Sequence, residues 1–226
     1  MRLTGGTADE GYACVLFAQG QQSWQAEYLD MPIAQINPQG TAIYYQDSGA
    51  PEGLLDYTTI VLVHGFAING GTSSILLLVP RRSLPPRTAI FERMLPYATK
   101  YRLRIIAMNS RDYSGSTPYT ADELSDYTSH NVDVQAFAVR RWGHEIGGFL
   151  AHVCRDLRIP RTTEAADGKT GGLVLVTWSL SVIAGLAILG DPRTLGDELS
   201  SQLAPYLRRV IMYGTFALSR SFILPF

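Results

Sequence analysis

Four short runs of consecutive aliphatic and β-branched residues limit what this chain can fold into: Thr58–Val63 (TTIVLV), Arg104–Met108 (RIIAM), Leu173–Val176 (LVLV) and Arg209–Tyr213 (RVIMY). A strand with one wet face alternates apolar and polar residues, whereas a continuous apolar run marks a strand covered on both faces. Helical spacing lies between the runs. Ile90–Tyr101 brings Phe91, Met94, Leu95 and Ala98 to one side, and Asp133–Leu157 lines up Val134, Phe137, Trp142, Ile146, Phe149, Leu150 and Val153. Ser181–Leu189 is almost wholly apolar and predicts a buried helix, and Leu195–Leu207 predicts a weaker one. Buried strands alternating with helices imply an α/β fold, a mostly parallel sheet with helices on both faces. Upstream, Ala34–Ile36 and Thr41–Tyr45 read as two strands around the turn Asn37-Pro38-Gln39-Gly40. Residues 1–30 show no clear periodicity and are expected to be poorly ordered, leaving 31–226 as the folded domain.

Composition narrows the function. With 46% hydrophobic and 17% charged residues, the chain suits a packed core and not a disordered one. A formal net charge of −1 implies no basic face, so nucleic acid is not an expected partner. No apolar run approaches the ~20 residues needed to cross a bilayer, and Met1–Gly20 makes a poor signal peptide. Cys14 and Cys154 make no disulfide framework, so a reducing, cytoplasmic setting is expected. His and Cys are too scattered for a zinc site, and Gly168–Gly172 lacks the Gly-Lys-Ser/Thr ending of a phosphate loop. Neither a metal nor a cofactor is expected, and nothing here sets the oligomeric state.

Three segments carry chemistry. Thr177-Trp178-Ser179-Leu180-Ser181 joins the third apolar run to the helix after it. A nucleophile on a strand-to-helix turn needs small residues two positions to either side, usually as Gly-x-Ser-x-Gly. Here Thr177 and Ser181 replace both glycines; Ser181 is small, but Thr177 is β-branched. Ser179 reads either as that nucleophile or as a helix N-cap. His64-Gly65-Phe66 follows the first run directly, and His64 reads as a brace for this loop rather than as a general base. Asn109–Pro118 (NSRDYSGSTP), after the second run, is by itself a polar turn.

In this order the segments resemble the α/β-hydrolase superfamily, and more narrowly its uncharacterised fungal members with NxRDYxGSTPYT and GWSxG segments. The similarity spans roughly Met31–Tyr213. It implies a serine hydrolase acting on a small ester or related acyl substrate. Ser179 would be the nucleophile, the backbone N–H groups of Phe66 and Leu180 the oxyanion donors, and His64 and Gly65 the supports of the oxyanion loop. The alternative is a non-catalytic binding protein or pseudoenzyme on the same fold.

The pattern breaks in two places. Residues 72–89 (TSSILLLVPRRSLPPRTA) stand where such folds pass almost directly from the oxyanion loop into a helix. They read either as a lid-like insertion or as a translated, retained intron. Second, the triad order in this fold is Ser, acid, His, yet His64, His130, His144 and His152 all precede Ser179. Asp191, Asp197 and Glu198 follow it without an obvious acid among them. The fourth run ends Tyr213-Gly214, where the resembling proteins tend to have an Asp, and an apolar tail, TFALSRSFILPF, follows. The chain therefore reads as C-terminally truncated, with an unpaired apolar sheet edge.

Overall fold

The computed structural model describes residues 32–65, 91–113, 115–166 and 168–214, all within the unit Pro32–Phe226. The expectations for residues 1–30, for 72–89, for Phe66 and for the apolar tail lie outside the described residues.

Six strands form one sheet. In chain order they are β1 (Ile33–Gln35), β2 (Ala42–Asp47), β3 (Thr58–Val63), β4 (Leu103–Met108), β7 (Leu173–Trp178) and β8 (Leu207–Tyr213). Across the sheet the order is β1-β2-β4-β3-β7-β8. β1 and β2 are antiparallel to their neighbours, and β4, β3, β7 and β8 run parallel. A small separate hairpin, β5 (Thr163–Ala165) with β6 (Gly168–Thr170), precedes β7. Four α-helices are also described: α1 (Ala121–Tyr127), α2 (Val132–Asp156), α3 (Val182–Gly190) and α4 (Gly196–Leu203).

The pleat explains the continuous apolar runs. Val61, Val63, Ile106, Met108, Leu173 and Leu175 point to one face, where Ile146, Phe149, Leu150 and Val153 of α2, Ala184 and Ile188 of α3 and Leu203 of α4 cover them. Their neighbours Leu62, Ile105 and Ala107 point the other way, against Phe91, Leu95 and Ala98. Both sides of each inner strand are therefore covered, which explains why these runs are mostly apolar. Arg104 is the exception within β4. Its Nε donates to both carboxylate oxygens of Asp47 at 3.0 and 3.2 Å, and Nη1 donates to the Leu157 carbonyl at 3.2 Å. The nearly buried charge is thereby paired.

Three details differ from the sequence pattern. Ile90–Tyr101 predicts an α-helix, but two 3-10 helices, Glu92–Tyr97 and Thr99–Tyr101, occupy the described part, and Pro96 lies inside the first. Proline has no N–H and its ring meets the carbonyl four residues back, which costs an α-helix about 3 kcal/mol. The fourth run predicts a strand buried on both faces, yet Ile211, Met212 and Tyr213 are exposed, because β8 pairs only with β7 among the described residues. The helix after Ser181 predicts full burial, but Leu186 and Leu189 face outward. α1 and the β5–β6 hairpin have no counterpart in the sequence reading.

Candidate active site

β7 places Ser179 at the sheet's end. The strand stops at Trp178, a single 3-10 turn covers Ser179–Ser181, and α3 begins at Val182. Ser179 has φ 59°, in the left-handed region. A non-glycine residue there is strained by roughly 1–3 kcal/mol, and such strain persists only where its surroundings enforce it. An N-cap residue sits in the extended region and lends its side chain to the helix. Ser179 does neither: the N-cap of α3 is Ser181, which makes no side-chain cap bond. A strand, a sharp left-handed turn and a helix in this order make the backbone arrangement that a nucleophile elbow requires.

The elbow's neighbours explain how it forms without its two glycines. Ser181 is fully buried, and its hydroxyl donates to the Trp178 carbonyl at 2.8 Å and to the Val63 carbonyl at 3.2 Å. A glycine could not make these two bonds, which tie the turn to the end of β3. Thr177 is also buried, and the space for its branched side chain comes from α3. A Cβ on Gly185 would stand 2.9 Å from Thr177 Oγ1. The glycine missing from the turn is in effect displaced to the helix behind it, a compensation that a five-residue pattern cannot reveal.

The end of β3 meets the elbow directly. A Cβ on Gly65 would lie 2.6 Å from Ser179 Cβ and 3.0 Å from both Ser179 Oγ and the Trp178 carbonyl. Only glycine allows this approach. His64, fully buried, stands beside it. The Ser110 backbone N–H donates to His64 Nε2 at 3.0 Å, so that nitrogen carries a lone pair and the ring proton belongs on Nδ1. Nδ1–H then donates to the Gly65 carbonyl at 2.9 Å. Tyr113 packs edge-on against the ring, with centroids 4.5 Å apart. Both imidazole nitrogens are thus engaged in holding loops together.

The Asn109–Thr120 segment is pinned on several sides. Ser116 and Thr117 hydroxyls accept from the Tyr44 and Ala42 backbone N–H groups of β2, and Asp112, at φ 69°, accepts from Tyr119 N–H. Arg111 is its central strut. Its guanidinium donates to Glu123 of α1 at 2.8 and 2.9 Å, to Glu145 of α2 at 2.9 Å, and to the Thr117 and Pro118 carbonyls. It also lies 4.1 Å over the Tyr119 ring, whose hydroxyl donates to the second Glu145 oxygen at 2.8 Å. Burial pushes the Glu145 carboxyl up from the usual range, against the hydrogen bonds of Arg111 and Tyr119. At the more open Glu123, burial also opposes the charge, but bonds from Arg111 and from Thr120 N–H bring its carboxyl down to about 2.

The other candidates lie elsewhere. His144 faces the Thr194 carbonyl at 3.0 Å, His152 pairs with Asp156 at 2.6 Å, and His130 is exposed between α1 and α2. Asp191 is held by Arg193 and Arg140, and Asp197 and Glu198 are exposed in the first turn of α4. The register sets Tyr213 opposite Trp178, so β8 ends level with the elbow, where it presents Tyr213 and Gly214 and no carboxylate. Among the described residues no group of His, Cys, Asp and Glu can hold a metal ion. No described helix is long and apolar enough to cross a membrane.

The fold is α/β, with a mostly parallel sheet and helices packed on it. No family model matches the chain, and no curated protein does. Among solved structures, it is similar to a bromoperoxidase from Bacillus anthracis (16% identity, TM-score 0.42, covering 82% of this chain and 45% of that one). It is also similar to the esterase EaEST from Exiguobacterium antarcticum (15% identity, TM-score 0.42, covering 82% and 45%). A third is esterase 2 from Thermogutta terrifontis (12% identity, TM-score 0.41, covering 88% and 60%). The chain spans less than half the length of the first two.

Proposed function

We propose that this chain is a serine hydrolase of the α/β-hydrolase superfamily, acting on a small ester or related acyl substrate. The left-handed Ser179 at the end of β7 carries this reading, because strain of that kind presents a side chain at the top of the sheet. Ser179 attacks the acyl carbon, and the N–H groups of Leu180 and Phe66 receive the developing oxyanion. The Gly65 carbonyl belongs to the same planar peptide unit as the Phe66 N–H. A hydrogen bond that orients the carbonyl therefore orients the donor. None of the four histidines is assigned as the base. The Ser179 proton passes to a base other than these four histidines, and a reducing, cytoplasmic setting fits the two cysteines.

The second reading is a non-catalytic protein on the same fold, favoured by the engagement of His64, His144 and His152 away from the elbow hydroxyl. A fluorophosphonate probe separates the two. The hydrolase reading expects Ser179 to be labelled, and both labelling and p-nitrophenyl ester turnover to vanish in Ser179→Ala. Equal labelling of Ser179→Ala, or none of either protein, favours the non-catalytic reading.

A further inference from the structure

Glu145 is a carboxylate buried midway along the apolar stripe of α2, far along the chain from every residue assigned to the reaction. Burying a charge is costly unless it is paired, and here both carboxylate oxygens are occupied, one by Arg111 and the other by Tyr119. Arg111 in turn ties down the two carbonyls at the far end of its own loop. The loop so held carries Ser110, whose N–H meets His64 Nε2, and His64 Nδ1 meets the carbonyl of Gly65, the residue that closely approaches Ser179. The links are hydrogen bonds, except that Arg111 and Ser110 are joined as neighbours in the chain.

We propose that Glu145 is a positioning residue for the Ser179 site, acting through Arg111, Ser110 and His64 to hold the Gly65 carbonyl in place; this rests on the reading of Ser179 as nucleophile. The chemistry favours His64 in one neutral tautomer. A donor at Nε2 demands the lone pair there, and the proton left on Nδ1 bonds the carbonyl. If the loop slackens, Ser110 N–H withdraws, the tautomer is no longer dictated, and the carbonyl loses its fixed partner. Glu145→Gln retains size but removes the charge that pairs with Arg111, and its amide N–H can meet Tyr119 only by turning that hydroxyl from donor to acceptor. Arg111→Lys retains charge but loses the fork that reaches four partners.

The test is nitrogen-15 NMR of the histidine side chains, with the His64 signals assigned by their loss in His64→Gln, alongside the rate of fluorophosphonate labelling. Wild type is expected to show a single Nδ1–H tautomer for His64. In Glu145→Gln a mixture of tautomers is expected, with labelling at least tenfold slower and an unchanged far-ultraviolet circular dichroism spectrum. Should Glu145→Gln fail to fold, Arg111→Lys is read in the same way. An unaltered His64 tautomer in the folded variant overturns the proposal, whatever the labelling rate. If wild type is not labelled at all, the nucleophile reading fails by itself. The His64 spectrum then decides the positioning chain alone.

Discussion

At Gly65 and Ser179 the backbone itself is the constraint. Ser179 is held where serine is disfavoured, and Gly65 stands where any side chain meets the elbow. Gly65→Ala puts a methyl group 2.6 Å from Ser179 Cβ and 3.0 Å from a carbonyl oxygen that cannot swing away. Overpacking of this kind costs about 1–3 kcal/mol. Because the conflict falls on the elbow, part of its relief comes from moving Ser179. The expected outcome is a lower Tm and at least a tenfold drop in fluorophosphonate labelling; a variant with wild-type Tm and labelling contradicts this packing. The pentapeptide around Ser179 was legible in the sequence as a junction between strand and helix. Its conformation was not, because Thr177 and Ser181 break the glycine pattern, and their compensation lies in Gly185 and in the Val63 carbonyl.

Among the elements, α1 is the one most dependent on charge. Its seven residues are too few to be stable alone and none is buried. A capping box between Thr120 and Glu123 starts it, and Glu123 also holds Arg111. The Glu123 carboxyl lies at about 2, below its ordinary value of 4.5. A depressed carboxylate contributes stability that is fully present above its unfolded value and is lost as pH falls through the folded one. The advantage of wild type over Glu123→Gln is therefore expected to be full above about pH 4.5 and to vanish toward about pH 2. Thermal melts of both proteins across that range check it; a constant difference between them excludes an ionised Glu123 as the source. α1 itself escaped sequence reading because its seven residues carry little apolar periodicity. By contrast, α2 was evident from its stripe, although Phe137 at the end of that stripe is exposed.

On the scale of the whole molecule, the sheet has one edge that nothing among the described residues covers. β8 exposes Ile211, Met212 and Tyr213, and Leu186 and Leu189 of the adjoining α3 are exposed as well. An apolar strand with unpaired backbone groups is a template for pairing with another chain. The protein is expected to associate with rising concentration, and Ile211→Lys to raise the monomer fraction by placing a charge on that edge. Light scattering or sedimentation over a concentration series measures both. A wild-type protein that stays monomeric throughout removes this reading of β8.

What the sequence by itself determined was local in origin. The runs forming β3, β4 and β7 are apolar because both of their faces are covered, and the stripe of α2 repeats because one side of a helix meets that sheet. Burial imposes these patterns on consecutive residues, so they survive without knowledge of any partner. The tertiary structure decided what depends on groups far apart in the chain. The left-handed turn at Ser179 needs Gly65 and Gly185, the tautomer of His64 needs Ser110, and the buried charge of Glu145 needs Arg111 and Tyr119. The fourth run shows the same division from the other side. Its residues have the composition of an inner strand, but whether a strand is buried is a property of its neighbours, and β8 has only β7 beside it among the described residues.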